Sequence, residues 1–406
     1  MTALRFVDAD GHLLEHPTEM VRYAPKGYED RVWHVETDEG GTEWIVMDGQ
    51  RLPANPFAVS GTAGFSDEDR QRALLGEIKY TEVAPASYSV KPRLEDMTRD
   101  HIDISVLYPT LMLYIASIAD LDFAEVMARA YNDWLSDHTV ESGGRLYGAA
   151  AVPQQDPERA AREIHRAASL PGMKAVYVRP NPTANWKHFS DPVYDPIWQA
   201  ASDTGLAVGL HPAVSADIPG AVLGLHVNML GLDTLTGRGE HKFSPPLPGG
   251  IANFDNVAFT QAIASPVDMM TSMMFLLMGG VCERFPELRI AFLEANGGWL
   301  VPWLERLDHH AKELFWDLPQ LSLRPSEYFR RQCWISFDPD EAALPFTANS
   351  PLVGADRIVW ASDYPHPDAK FPGTTDELTE AIESLDADQQ AEIAGKSAMA
   401  LYRIED

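Results

Sequence analysis

Hydrophobic and polar positions first form a pattern in a short β-type run, Leu4 to Val7, which passes directly into acidic residues and a histidine. Periodicity is then lost until about position 91 and returns at Pro92. Arg93 to Ile102 has helical spacing, Ser105 to Tyr108 is an unbroken apolar run of strand length, and Ala119 to Val140 is helical again. Further strands are predicted at Leu146 to Val152, Met173 to Val178, Leu206 to Leu210, Arg289 to Leu293, Cys333 to Phe337 and Arg357 to Ala361. Helices fall between them: one through Ala168 behind an Asp156 cap with Pro157 at an early position, one over Asp195 to Thr204, and a Met-rich one from Ala258 to Phe285. Trp299 to Leu314 and Asp376 to Leu401 complete the set. Eight strands alternating with helices predict a parallel sheet, and eight such units predict a closed (β/α)8 barrel of the α/β class. An open doubly wound sheet is the alternative, but no Gly-x-Gly-x-x-Gly follows the first strand.

Two stretches break the alternation. Residues 16–91 are rich in glycine, proline and acidic side chains, with a hairpin signal from Trp33 to Val46 that turns at Gly40-Gly41. Residues 213–256 carry Gly237-Arg238-Gly239 and a run from Ser244 to Gly250 dense in proline and glycine. Loops this long inside a compact unit are usually functional. Both read as insertions within one barrel domain spanning 1–406, the first of them as a lid.

Composition narrows the partners more than the fold. Apolar residues make up 45% and charged residues 23% of the 406, which is ordinary for a globular chain. The net charge of −28, from 60 acidic against 32 basic residues, argues against nucleic acid and anionic membrane as partners. Such acidity reads as a solvated, self-repelling surface and does not identify the substrate. Cys282 and Cys333 lie in apolar surroundings with no metal-type spacing and read as packing. The apolar patch Met269 to Val281 is too short to span a bilayer, and the first residues show no basic-then-apolar leader. A cytoplasmic enzyme acting on a small molecule is expected. The methionine density of the long helix suits core or subunit packing, and a homo-oligomer, dimer or tetramer, is expected.

Candidate chemistry collects where a barrel places it, at the C-terminal ends of strands. Asp10 and His12 are two apart on an extended segment and share one face, so a carboxylate oxygen and an imidazole nitrogen point the same way. That pair suits a divalent metal, although Asp-Gly is also an ordinary turn signal. Arg179, His211, Glu294 and Asp363 follow four further strands in the same way.

Taken with Asp8-Ala9-Asp10-Gly11-His12, the runs Val106 to Thr110, Gly209-Leu210-His211-Pro212, Trp303 to Asp308 and Ala361-Ser362-Asp363-Tyr364-Pro365-His366 resemble the amidohydrolase superfamily. Within it the chain is most similar to the branch of aminocarboxymuconate-semialdehyde decarboxylase and the γ-resorcylate-type decarboxylases, from Val7 to Tyr402 apart from the insertions. The resemblance implies one divalent metal held by Asp10, His12, His211 and Asp363. Asp10 stands where many relatives carry histidine or glutamate. A mixed carboxylate and imidazole shell accepts zinc or manganese, with zinc favoured by its imidazoles. Glu294 stands where decarboxylating relatives place a histidine before Gly-Gly. A carboxylate can move a proton but cannot act as an imidazolium electrophile.

The remaining assignments follow from position. Asp363, Glu294 and His211 are the candidate catalytic residues, and Arg179 and His366 the candidate substrate contacts. Arg179 either clamps a substrate carboxylate or pairs with a loop acid. His366 either supports Asp363 or is exposed. Asp8 reads as structural, Glu15 and His16 as rim, Trp299 and Trp303 as core, and His101, His138, His309 and His310 as surface. The expected activity is a metal-dependent hydrolase or non-oxidative decarboxylase acting on a small organic acid or a cyclic or aromatic substrate. A barrel that binds metal or ligand without turnover is the alternative of a different class.

Overall fold

A computed structural model describes residues 4–181, 187–213 and 257–405. Eleven strands occur among them: β1 (Val7–Leu13), β2 (His34–Thr37), β3 (Glu43–Met47), β4 (Gln50–Pro53), β5 (Ile104–Pro109), β6 (Leu146–Ala151), β7 (Met173–Val178), β8 (Ala207–Leu210), β9 (Ile290–Phe292), β10 (Cys333–Phe337) and β11 (Ile358–Trp360). Eight of them pair in parallel in the order β1-β5-β6-β7-β8-β9-β10-β11. Closure between the two ends comes from His12 N–H donating to Tyr364 O at 2.8 Å and Asp363 N–H donating to Asp10 O at 3.1 Å. The predicted barrel is therefore present, with helices on its outside.

The strands form where apolar side chains run without interruption, because a parallel strand is covered on both faces. Every residue of β5, β8, β9, β10 and β11 is buried. Helix ends follow from local chemistry. The Asp156 carboxylate accepts the Arg159 N–H ahead of the helix Pro157–Ala167, a cap worth about 1 kcal/mol. Gly205 ends the helix Asp195–Thr204 in the left-handed region, at φ 72°, which glycine enters without steric cost.

Three expectations change in detail. β1 is longer than predicted and carries its acidic residues and histidine inside the strand, since pairing with β5 continues from Gly11 to Leu13 beyond a register shift. The Met-rich helix spans Val257–Leu277 and is separated from a short helix, Val281–Arg284, by Gly280 at φ 81°. The terminal helix is broken once, after Thr374–Ile382, and its second part runs through Ala387–Ala391, a π-helical turn at Glu392–Lys396 and Ser397–Tyr402 without interruption. Asp386 caps the second piece by accepting from Asp388 and Gln389 N–H, which restarts the helix after a break.

Residues 16–91 contain the predicted hairpin, β2 and β3, extended by β4 into a three-stranded antiparallel sheet. The insertion bonds to the loop after β11 through Ala63 N–H to Pro365 O at 3.0 Å and Arg70 Nη1 to Pro367 O at 2.8 Å. All but the first residue of the second insertion, 213–256, lies outside the described residues. No helix among the described residues is long and apolar enough to cross a membrane.

Candidate metal centre

Asp8, Asp10 and His12 alternate along β1, and all three are buried. Gly11 sits between them because nothing larger fits. A Cβ there would meet Ser105 Oγ at 2.6 Å, Asp8 Oδ2 at 2.7 Å and Arg93 Nη2 at 2.9 Å. Asp8 is structural, as its depth suggests. It accepts Ser105 Oγ–H at 2.7 Å, Ser362 Oγ–H at 2.7 Å and Ser362 N–H at 2.9 Å, tying β1 to β5 and to the residue before Asp363. Arg93 adds a bond to His12 O at 3.0 Å and stacks over the Tyr364 ring at 4.3 Å.

The two histidines are aimed by their outer nitrogens. His12 Nδ1 lies 2.9 Å from Pro109 O, and His211 Nδ1 lies 2.7 Å from Pro212 O. A carbonyl only accepts, so each Nδ1 carries the proton and each Nε2 faces inward. The two Nε2 atoms are 3.1 Å apart. Two unprotonated nitrogens at that distance repel, so either a cation lies between them or one of them carries a second proton. Asp10 is beside both, its Oδ1 3.8 Å from His12 Nε2 and its Oδ2 3.6 Å from His211 Nε2. Its Oδ1 is buried with no hydrogen-bond partner among the described residues, an orphaned oxygen of the kind that costs free energy unless a cation or donor meets it.

Asp363 follows β11 in the left-handed region at φ 54°. Its Oδ1 is 3.3 Å from His12 Nε2 and accepts from His366 Nδ1 at 2.7 Å. His366 Nε2 is 3.2 Å from Thr110 Oγ1, and its ring lies 4.0 Å from that of His12. Glu294 also has a positive φ, 45°, and its Oε2 is 2.9 Å from His211 Nε2. Backbone held in this region costs about 1–3 kcal/mol and clusters at functional sites.

Donor atoms of Asp10, His12 and His211 lie within 4.8 Å of one another, and those of His12, Asp363 and His366 do likewise. Electrostatics agree with a site made for a cation. Burial raises the Asp10 carboxyl, opposed by His211 and reinforced by Glu294 and Asp8. Burial also raises Asp363, as do Asp368 and Glu294, and lowers the His12 imidazole. Burial would lower His211 too, but Asp10 and Glu294 raise it to about 9. A proton on His211 thus supplies the positive charge that these carboxylates demand, the role a divalent ion would fill better. Oxygen and imidazole donors at this spacing fit one such ion.

Beside the donors is a cavity of about 110 Å³ lined by Asp10, Glu294, Asn296, Asp338, Asp363 and Lys370, among others. Burial, with Glu341 and Asp368 nearby, raises the Asp338 carboxyl to about 7. Arg179, directly after β7, is buried and its Nε donates to Asn181 Oδ1 at 2.9 Å. Tyr177, two residues earlier in β7, has its ring 6.3 Å from that of His211. Arg179 is not among the residues lining the cavity.

Asp10, His12, His211, Glu294, Asp363 and His366 therefore converge, and His366 contacts Asp363 directly. Asp338 was not anticipated, although it follows β10 directly and the strand-end rule applied there would have found it. Glu15 lies inside, not on the rim, fully buried and accepting Leu111 and Met112 N–H, each at 2.9 Å. His138 is also buried, against the surface expectation. Its Nδ1 meets Trp134 O at 3.0 Å, its Nε2 meets Tyr88 O at 3.2 Å, and its ring packs 4.5 Å from Trp134.

The amidohydrolase family model matches residues 7–404. The 2-amino-3-carboxymuconate-6-semialdehyde decarboxylase of Dictyostelium discoideum is 26% identical over 330 residues, covering 79% of this chain and 78% of its own. An amidohydrolase from Mycobacterium avium subsp. paratuberculosis has a similar structure, with a TM-score of 0.72, 20% identity and coverage of 99% of this chain and 100% of its own. So does the 5-carboxyvanillate decarboxylase of Novosphingobium aromaticivorans with bound manganese, with a TM-score of 0.63, 20% identity and coverage of 99% and 98%.

Proposed function

The chain belongs to the amidohydrolase family, and on that premise we propose that it is a non-oxidative decarboxylase of small unsaturated or aromatic carboxylic acids. The observation that carries the reading is the Asp363–His366 pair, a carboxyl held against an imidazole at 2.7 Å and 3.3 Å from His12 Nε2. That pair supports the reading of a proton carrier acting beside a cation-binding set. The decarboxylase from Dictyostelium, at 26% identity, supports the same chemistry over hydrolysis.

Asp10, His12, His211 and Asp363 would hold one divalent ion, which when bound supplies the positive charge that anchors an anionic substrate. Asp363 delivers a proton to the substrate carbon that bears the carboxylate. An adjacent carbon–carbon π bond supplies the electron pair that takes up this proton; the bond to the carboxylate then breaks, its electron pair restores the π bond and carbon dioxide leaves. His366, bonded to Asp363 and to Thr110, returns a proton to Asp363. Glu294 keeps His211 oriented through its 2.9 Å contact, and Arg179 pairs with a substrate carboxylate. The insertion 16–91 acts as a lid, supported by its bonds to Pro365 and Pro367. Hard carboxylate donors and the manganese-bound decarboxylase neighbour favour manganese, with zinc the alternative. The exposed run Leu314-Phe315-Trp316 supports self-association as a dimer or tetramer.

The test is metal analysis of the purified protein with a screen of hydroxybenzoates, carboxymuconate-like acids, lactones and cyclic amides. Carbon dioxide release that scales with manganese or zinc content is expected. Conversion of a lactone or amide with no carbon dioxide would assign hydrolysis instead.

A further inference from the structure

Glu15 is a fully buried carboxyl to which the reaction above gives no part. It follows His12 by three residues, just beyond the end of β1. Its backbone is pinned by the insertion: Leu14 N–H donates to Ser87 O at 2.8 Å, and Tyr80 Oη–H donates to Glu15 O at 2.8 Å. Its two carboxyl oxygens are divided between consecutive backbone groups. Oε2 accepts Leu111 N–H and Oε1 accepts Met112 N–H, each at 2.9 Å. Both of those residues are buried, so their N–H groups need an acceptor within the protein.

The two residues ahead of this clamp face the metal centre. Pro109 O accepts His12 Nδ1–H at 2.9 Å, and Thr110 Oγ1 lies 3.2 Å from His366 Nε2. The other His366 nitrogen, Nδ1, meets the Asp363 carboxylate at 2.7 Å. A carboxylate accepts, so Nδ1 carries the proton and Nε2 of the neutral ring accepts the Thr110 hydroxyl. The hydroxyl thereby selects the tautomer whose proton points at Asp363. The turn 109–112 is one short piece of backbone, with His12 and His366 bonded at its start and Glu15 at its end. The rest of the segment is held elsewhere, by Tyr177 Oη–H on Leu113 O and by the Gln155 amide on Ile115 O and Ile118 O.

On the premise that Asp363 and His366 move the proton, we propose that Glu15 is a positioning residue for that pair. By holding Leu111 and Met112 it sets the Thr110 hydroxyl on His366 Nε2, and so fixes the ring, in one tautomer, against Asp363.

Two readouts on the zinc-loaded protein test this. Nitrogen-15 NMR of histidine-labelled protein, with the His366 signals assigned by their loss in His366→Gln, reports the tautomer without any turnover. His366 should be protonated on Nδ1 in the parent. Glu15→Gln keeps one acceptor oxygen, and Thr110→Val keeps the shape without the hydroxyl; both should give a mixture of Nδ1–H and Nε2–H forms. The second readout is carbon dioxide release from the acid that the screen above identifies. Each single variant should lose roughly three- to tenfold in kcat, the scale of one neutral hydrogen bond, with KM unchanged. The double variant should lose no more than the larger single loss, because both changes cut the same chain of contacts. A general loosening of the fold would instead move KM and metal content with kcat, and its effect would multiply with that of Thr110→Val. An unaltered tautomer or kcat in either single variant, or losses that multiply in the double variant, would overturn the proposal. A parent that releases no carbon dioxide, with the tautomer shift present in both variants, would strike the decarboxylase reading alone and uphold Glu15 as the residue that sets His366.

Discussion

Glu15 offers a test of how burial, more than hydrogen bonding, governs the interior beside the barrel mouth. Its carboxylate is fully buried and accepts two backbone N–H groups, from Leu111 and Met112. Burial raises the carboxyl from 4.5 to about 7 in spite of those two bonds. A folded-state value above the unfolded one means that folding favours the protonated form. The stabilisation is thus fully present below pH 4.5 and is lost as pH rises through about 7. At ~1.4 kcal/mol per pH unit, the interval between 4.5 and 7 corresponds to a loss of about 3 kcal/mol. Glu15→Gln cannot titrate. It also leaves one of the two N–H groups facing an amide nitrogen, a cost of about 1–3 kcal/mol that does not depend on pH. Urea unfolding of both proteins at pH 5 and pH 8 should therefore show the variant weaker at pH 5 and the gap closed or reversed at pH 8. Contributions from every other group cancel in the difference. A gap that stays constant across this range would refute the argument and assign Glu15 a normal carboxyl in the fold.

Four further outcomes follow from the site. His211→Ala should remove most of the metal, read by elemental analysis, while the circular dichroism of the barrel remains, because its side chain bonds inward and not to the sheet. Asp363→Asn keeps an oxygen for the ion but carries no acidic proton, so turnover should fall at least about a hundredfold with a smaller loss of bound metal. Arg179→Met should raise KM for an anionic substrate about tenfold or more, as expected when a charge-assisted pair of about 1.5–3 kcal/mol is lost. An unchanged KM would leave Arg179 as the partner of Asn181. Gly209→Ala would place a Cβ 2.1 Å from Tyr108 Oη, and Tyr108 stacks on His211 with ring centroids 5.7 Å apart. Metal affinity should fall with little change in substrate KM, and unaltered metal content would show that the ring yields freely.

The eight barrel strands were legible in the chain because a buried parallel strand must be apolar along its whole length, and that is a local property. The metal candidates were legible for a related reason. A polar residue directly after an apolar run has one place to go in a barrel, which is why Asp10, His12, His211, Glu294 and Asp363 were found together and why Asp338 could have been. The parallel pairing with β5 carried β1 past Asp8 and Asp10, and no local pattern announced it.

What the tertiary structure alone decided is which polar groups are deprived of water. Glu15 is buried because residues about a hundred positions away fold across it. His138 reads as a surface histidine until Tyr88 and Trp134 close around its ring. Asp48 and Asp120 share the single guanidinium of Arg31, at 2.6 Å and 2.9 Å, only where the turn after β3 meets the segment after β5. Periodicity along a chain reports which side of an element is apolar. It carries no record of the distant backbone that will cover that side, and burial sets the pKa values, the orphaned atoms and the cavities on which the chemistry depends.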